Sequence, residues 1–206
     1  MRALTISRCL ALALGLSLAA LAPARAAVPP AEAFISTNIH KGVDILADKH
    51  LDAAARSAQF KDFLLGITDM HRIAMFSLGQ YARTATPAEQ DAFAAAFQDY
   101  ALAVYRSYFN RYTGQTLTVT GSAEHAPGDV IVKTLFADPK DRSTQPLEVD
   151  FRVRTDGAKP VMVDFSVAGM WLAISQRDEF VSFLSKNGGN IQTLIAHLRS
   201  AAKQYH

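Results

Sequence analysis

Four charged residues stand next to apolar ones and are the first candidates for chemistry. Asp69, Arg83, Asp164 and Arg177 each adjoin apolar neighbours, which predicts partial burial. A buried carboxylate or guanidinium can form a structural ion pair or a helix cap that fixes helices against a sheet. Alternatively, an arginine can bind an anionic group at the mouth of a pocket through charge-assisted hydrogen bonds. Both interpretations stay open at this point.

A catalytic or metal-binding constellation is not recognisable in the sequence. Six histidines are present, and none forms a metal-ligand pair at helical spacing: His40, His50, His71, His125, His197 and His206. A Gly-rich phosphate loop, an HExxH motif and a G-x-S-x-G motif are all missing. We therefore expect no catalytic residue, no metal ligand and no cofactor. An enzyme whose groups converge from distant segments is the alternative, with Asp164 as its acid–base candidate.

The N-terminus has the pattern of a secretory signal peptide. Arg2 and Arg8 accompany an apolar run, Cys9 to Ala22, that is shorter than the roughly 20 residues of a spanning helix. An A-x-A signal follows, which predicts Sec-dependent export and cleavage near Ala26. We expect residues 1–26 to be removed and residues 27–206 to form a single domain. The only cysteine would leave with the signal peptide.

The charge balance argues against a nucleic-acid partner. Removing the three arginines of residues 1–26 from the 21 basic residues leaves 18, against 19 acidic ones. Proteins that bind nucleic acid need a basic patch or stripe. The nearly neutral mature chain predicts no such function.

The first half of the mature chain has helical periodicity. Apolar residues recur three and four positions apart from Ile35 to Leu46 and again from Phe60 to Ile67. A third helix should end at Gly79. The next should begin with a capping box in which Thr86 is the N-cap and Glu89 completes the pair.

The period changes to two after Gly114, which predicts strands. Four strands are expected, and short connections predict an antiparallel meander. In the third strand, Leu147 to Val153 contribute the apolar face, and the face with Arg152 and Arg154 should be solvated. Two helices close the chain. The predicted class is α+β: a curved, four-stranded antiparallel sheet packed against N- and C-terminal helices.

Aromatic residues are concentrated on the faces that should contact the sheet. They can fill a solid core, or line a deep apolar cavity between the sheet and the helices. Trp171, beside Met170 at a strand-to-helix corner, suits a pocket mouth because its ring is amphipathic. The pattern alone does not separate these two possibilities.

Three segments carry a resemblance to a known family. They are DMHRIAMFSLGQYARTATPAEQDAFAAAFQDY (Asp69–Tyr100), VDFSVAGMWLAISQRDEF (Val163–Phe180) and NGGNIQTLIAHLR (Asn187–Arg199). With the rest of the chain from about Phe34 to Arg199, they resemble the MlaC family of periplasmic phospholipid-binding proteins. The family usually has Trp before the arginine at Ala82–Arg83. The corner at Gly169–Leu172 looks closer to its hopanoid-associated branch.

The resemblance implies an NTF2-like fold and a lipid-carrying function. The protein would be a periplasmic monomer that binds a phospholipid or hopanoid-like lipid. It would carry that lipid between an outer-membrane lipoprotein complex and an inner-membrane ABC transporter with its substrate-binding ring. The head group would meet Arg83, Arg177 or Asp164, unless these charges are structural. The expected lipid-contact residues are Phe76, Tyr81, Phe97, Tyr100, Val104, Phe151, Val163, Phe165, Met170, Trp171, Phe180 and Leu184. A hopanoid-associated adaptor with a filled core, or an NTF2-like enzyme on a hydrophobic substrate, is the alternative.

Overall fold

The computed structural model describes residues 29–109, 112–141 and 143–205, so the predicted signal peptide lies outside the described residues. The helices are α1 (Pro30–Ala47), α2 (Ala53–Ile67), α3 (Met70–Ser77), α4 (Pro87–Phe109), α5 (Leu172–Lys186) and α6 (Ile191–Ala202). The strands are β1 (Thr116–Ala126), β2 (Asp129–Ala137), β3 (Leu147–Arg154), β4 (Val161–Val167) and β5 (Met170–Trp171). Short 3-10 helices follow α3 (Gly79–Arg83) and α6 (Lys203–Tyr205).

The sheet is an antiparallel meander in the order β1-β2-β3-β4-β5, which confirms the predicted α+β class and connectivity. The prediction of four strands was one short, because the corner after β4 folds back as a hairpin. Its two loop residues, Ala168 and Gly169, have φ of 50° and 79°. Positive φ at both central positions is the type I′ geometry that matches the twist of paired strands.

Two separate apolar clusters hold the elements together. In the first, Ala31 and Ile35 of α1 pack against Val132 and Val153 in the middle of the sheet. The second joins helices α3 to α6 and contains the fully buried side chains Leu78, Phe93, Phe97, Phe180, Leu184, Leu194, Ile195 and Leu198. The sheet and the helical layer are therefore stabilised by different sets of contacts.

The start of α4 has the predicted capping box. The backbone N–H of Thr86 donates to Glu89 Oε2 at 2.9 Å, and the Glu89 N–H donates to Thr86 Oγ1 at 3.3 Å. The hydrogen bond from the Thr86 backbone lowers the pKa of Glu89 below its ordinary value. These reciprocal bonds satisfy backbone donors that the first helical turn leaves free.

The end of α3 depends on Gly79. Its φ of 57° lies in the left-handed region, and a Cβ at this position would lie 2.7 Å from Val181 Cγ2 of α5. Glycine alone avoids both the strain and the clash. The predicted helix end at this glycine therefore also sets how closely α3 and α5 approach.

The arginine face of β3 is not merely solvated, which corrects the prediction. Asp129 of β2 is 3% exposed, and Arg152 binds its carboxylate through Nε at 2.9 Å and Nη2 at 2.6 Å. Arg154 Nη1 lies 3.5 Å from the same carboxylate. A carboxylate that is removed from water needs such partners. The arginines therefore neutralise a buried charge.

Candidate functional site

A cleft of about 650 Å³ opens between the end of α1, α2, α4 and the C-terminal end of α6. We call it the basic cleft. Its lining residues are Leu46, Ala53, Arg56, Ser57, Phe60, Lys61, Leu64, Asp99, Leu102, Ala103, Arg106, Tyr112, Arg199, Ala202 and Lys203. Its volume is in the range of small-molecule binding sites in proteins.

Part of the lining of the basic cleft is apolar. Phe60 and Leu64, four residues apart, share one side of α2, and Leu102 and Ala103 are contributed by α4. Phe60 is 7% exposed and Ala103 is 3% exposed, whereas Leu46, Leu64 and Leu102 are half-buried. This part of the cleft can thus contact apolar groups.

The charged lining residues are almost all cations. Five are basic and one, Asp99, is acidic; the basic ones are Arg56, Lys61, Arg106, Arg199 and Lys203. Among the described residues, the ion pairs all involve Asp129 or Asp156 in the region of the sheet. The basic residues of the cleft therefore form no ion pair with a carboxylate of the described residues.

Two of these arginines keep a buried donor without a partner in the described residues. The Nε atoms of Arg56 and Arg106 are both inaccessible to solvent and donate no hydrogen bond to a described residue. Arg56 is held in place by its Nη2, which donates to the backbone carbonyls of Asp48 at 3.0 Å and Leu51 at 2.8 Å. A buried donor without an acceptor is costly. The positive charge of the guanidinium groups suits the cleft to an anionic occupant.

A second, smaller pocket of about 160 Å³ lies where α3 meets the sheet. It is lined by Arg72, Ile73, Phe76, Asp129, Arg152, Arg154, Val163, Asp164 and Ala173. Phe76 and Val163, both expected to contact lipid, meet here. Val163 is the extra residue of a β-bulge, since Arg152 pairs with Asp164 and Val153 with Met162.

Asp164 acts as a cap for the start of α5. Its Oδ1 accepts hydrogen bonds from the backbone N–H groups of Phe165 at 2.8 Å and Ala173 at 3.0 Å. Burial raises the pKa of Asp164, while these hydrogen bonds and the charge of Arg152 oppose the rise. Its geometry matches the structural interpretation of this residue.

The other predicted charges also lie away from the basic cleft. Asp69 Oδ1 accepts from the backbone N–H of Arg72 at 3.0 Å and thereby caps α3. Arg83 is exposed. The guanidinium carbon of Arg177 lies 5.4 Å from the centroid of the Phe76 ring, a cation–π contact. A head-group role for Arg83 or Arg177 remains a prediction.

Several of the predicted lipid-contact residues lie in the helical core. Phe97, Phe180 and Leu184 are 2%, 1% and 0% exposed, and the Phe97 and Phe180 rings are edge to face at 6.3 Å. Tyr81 and Tyr100 are half-buried against the same cluster. This part of the helical layer is a filled core.

The remaining predicted residues lie on the sheet, on α4 and at the corner. Phe151 and Phe165 are cross-strand partners with ring centroids 6.3 Å apart, and Tyr105 of α4 lies 5.8 Å from Phe165. Met170 is 62% exposed at the corner, and Trp171 and Val104 are half-buried. None of the predicted lipid-contact residues is among the described residues that line the basic cleft.

The residues of the basic cleft did carry a signal in the sequence. Asp99, Leu102 and Arg106 lie three and four positions apart on α4, beside its aromatic face. Arg199 and Lys203 repeat the spacing at the C-terminal end of α6. Such mixed stripes resemble ordinary solvated helix faces until the helices are placed next to each other.

The described residues contain no cluster of three histidine, cysteine or acidic side chains that could hold a metal ion. Within the same ranges, every helix is too short or too polar to cross a membrane. The described residues thus form an α+β protein with a meander sheet, a helical layer and an open cleft that is lined by basic residues.

The comparison with known families is specific. The family described as MlaC protein matches residues 37–200, and the chain belongs to this family. A similar solved structure is a phospholipid-binding protein from Ralstonia solanacearum in complex with a phospholipid. It superposes with a TM-score of 0.74 at 22% sequence identity, over 85% of this chain and 98% of that chain. This similarity confirms the predicted MlaC-like fold.

Proposed function

We propose that this protein binds a membrane phospholipid in the basic cleft and carries it through the periplasm. The observation that carries the proposal is an open cleft with both apolar and cationic lining, in a member of the MlaC family. A phospholipid has the same two parts, acyl chains and a phosphate. The phospholipid bound to the Ralstonia protein of the same fold supports this choice of ligand.

The physical need for a carrier follows from the cost of exposing acyl chains. Each CH₂ group moved from hydrocarbon to water costs about 0.8 kcal/mol. A lipid with roughly 30 such groups would therefore face upwards of ~20 kcal/mol in water. A protein that covers the chains lowers this barrier, and it must bind them weakly enough to release them.

The wider assignment follows from the family resemblance. Residues 1–26 would direct export and be removed, and residues 27–206 would form the periplasmic carrier domain. An inner-membrane ABC transporter and an outer-membrane lipoprotein complex would load and unload it. Binding and release need no bond-making step, so the carrier would act without catalysis and without a cofactor.

Native mass spectrometry of the freshly purified mature protein tests the proposal. We expect a one-to-one adduct with the mass of a phospholipid, identified after solvent extraction. The delipidated protein should regain the adduct after incubation with phosphatidylglycerol vesicles. A clean protein mass that persists after this incubation would contradict the proposal and favour the adaptor alternative.

A further inference from the structure

We propose, on the basis of the lipid-binding function above, that the basic cleft selects lipids whose head group has a net negative charge. Arg56 and Arg106, which line the cleft from α2 and α4, would bind the head-group phosphate through their guanidinium groups. These two arginines differ from Arg83 and Arg177, which were expected from the sequence to meet the head group.

The charge distribution is the first reason. The mature chain is nearly neutral, yet the described residues that line the cleft include five basic ones and a single acidic one. A phosphate is attracted by this field whether or not the rest of the head group is charged. The ammonium of a zwitterionic head group would be repelled by the same cations, and among the described lining residues only Asp99 could offset that repulsion. A head group without its own cation is therefore favoured.

The donor geometry is the second reason. Arg56 belongs to α2 and Arg106 to α4, so two different walls of the cleft each contribute a guanidinium. The Nη2 of Arg56 is already fixed by the carbonyls of Asp48 and Leu51. This guanidinium is thus held in position before the ligand arrives. A phosphate oxygen is a strong acceptor for such donors.

The apolar lining favours a lipid over a soluble anion. Phe60 and Leu64 follow Arg56 along α2 at four-residue steps, and Leu102 and Ala103 precede Arg106 on α4. Each arginine is therefore one helical turn from an apolar lining residue. A free phosphate would satisfy the arginines but leave these residues in contact with water, whereas acyl chains would cover them.

A competition between two lipids tests the selectivity. Delipidated protein is incubated with vesicles that contain phosphatidylglycerol and phosphatidylcholine in equal amounts and with identical acyl chains. The ratio of the two bound lipids is then measured by native mass spectrometry. We expect phosphatidylglycerol to be preferred by about fivefold to tenfold, because the cations of the cleft repel the choline ammonium of the other lipid.

The test variants are Arg106→Gln and the double variant Arg56→Gln/Arg106→Gln, both expected to bring the ratio towards one. Arg106→Gln is the safer of the two because, in the described residues, no hydrogen bond of that side chain is lost. Lys186→Gln is the matched control, since this lysine is exposed at the end of α5 and lines neither pocket. It should keep the wild-type ratio.

The possible outcomes separate the two proposals. Equal loading of both lipids by the wild type, or an unchanged ratio in Arg106→Gln, overturns the selectivity and leaves lipid carriage standing. Failure to load either lipid overturns both. Inorganic phosphate, titrated alone by calorimetry, should show no saturable binding below millimolar concentration. Saturable phosphate binding that leaves lipid loading unchanged would show a soluble-anion site and overturn the assignment to a lipid head group.

Discussion

At the scale of single residues, some buried charges are paired with an opposite charge and others have no such partner among the described residues. Asp129 is buried and fully paired with Arg152 and Arg154, whereas Arg56 and Arg106 are partly buried without an acidic partner in the described chain. The first arrangement is complete without a ligand, because every charge has its counterpart. In the second, we propose that a bound anion supplies the missing counterpart. This contrast distinguishes a structural charge cluster from a candidate binding site.

Asp129→Asn tests the structural cluster. The hydrogen bond from Arg152 holds the pKa of Asp129 below its ordinary value of 3.8. The carboxylate therefore contributes stability above pH 3.8, and this contribution is lost as the pH falls through the lowered pKa. We expect the variant to lose about 1–3 kcal/mol of unfolding free energy at pH 7 and clearly less at pH 3, measured by urea unfolding.

Asp178→Asn is the control for this pH dependence. Asp178 is exposed on α5 and belongs to none of the ion pairs between described residues. Its substitution should change stability by less than about 0.5 kcal/mol at either pH. An Asp129→Asn penalty of the same size at pH 7 and pH 3 would contradict the role of the ionised carboxylate.

At the scale of elements, α2 differs from the other walls of the cleft. Phe60 is the only buried residue among the described residues of α2, whereas α4 and α6 contribute several residues to the helical core. A helix of 15 residues in water is marginal unless tertiary contacts hold it. Its N-terminal cap therefore matters: Asp52 Oδ1 accepts from the Ala55 N–H at 2.8 Å.

Asp52→Ala should loosen α2 selectively. Loss of an N-cap side chain costs about 0.5–2 kcal/mol, and here the cost should appear as local opening. We expect faster hydrogen exchange of residues 53–67 with little change in α4, together with weaker lipid binding. Asp69→Ala is the matched control because it removes the cap of α3, a helix packed into the core. Unchanged exchange of α2, or equal acceleration in every helix, would contradict this prediction.

The elements also show what the sequence could and could not predict. Features that depend on residues close in the sequence were predicted. They are the capping box of Thr86 and Glu89, the end of α3 at Gly79 and the meander. Phe97 and Phe180 were expected to contact lipid, and they are buried in the helical cluster. Their contact with lipid stays a prediction, since periodicity does not say whether a facing surface leaves a gap. The basic cleft was missed because its lining comes from four helices that are distant in the sequence.

At the scale of the whole molecule, the two apolar clusters exist independently of the cleft. One lies between α1 and the sheet and the other among α3 to α6, so neither needs a ligand to be closed. The lipid-free protein should therefore stay folded. A lipid that binds the folded state alone should nevertheless stabilise it by mass action.

Delipidation should lower the melting temperature without abolishing the cooperative transition. At a ligand concentration one hundred times the Kd, binding contributes about 2.7 kcal/mol, which corresponds to roughly 5–10 °C for a chain of this size. Scanning calorimetry of loaded, delipidated and reloaded protein measures the shift. Reloading should restore the original value. Loss of the transition on delipidation would show that the lipid is part of the core.

The position of the cleft walls along the chain has a consequence for folding after export. The first two walls come from residues 46–64 and 99–106, and the last from residues 199–203. An exported chain that arrives unfolded could close the cleft only after its C-terminal residues have emerged. A folding intermediate without α6 would lack one wall of the cleft and should therefore not retain cargo.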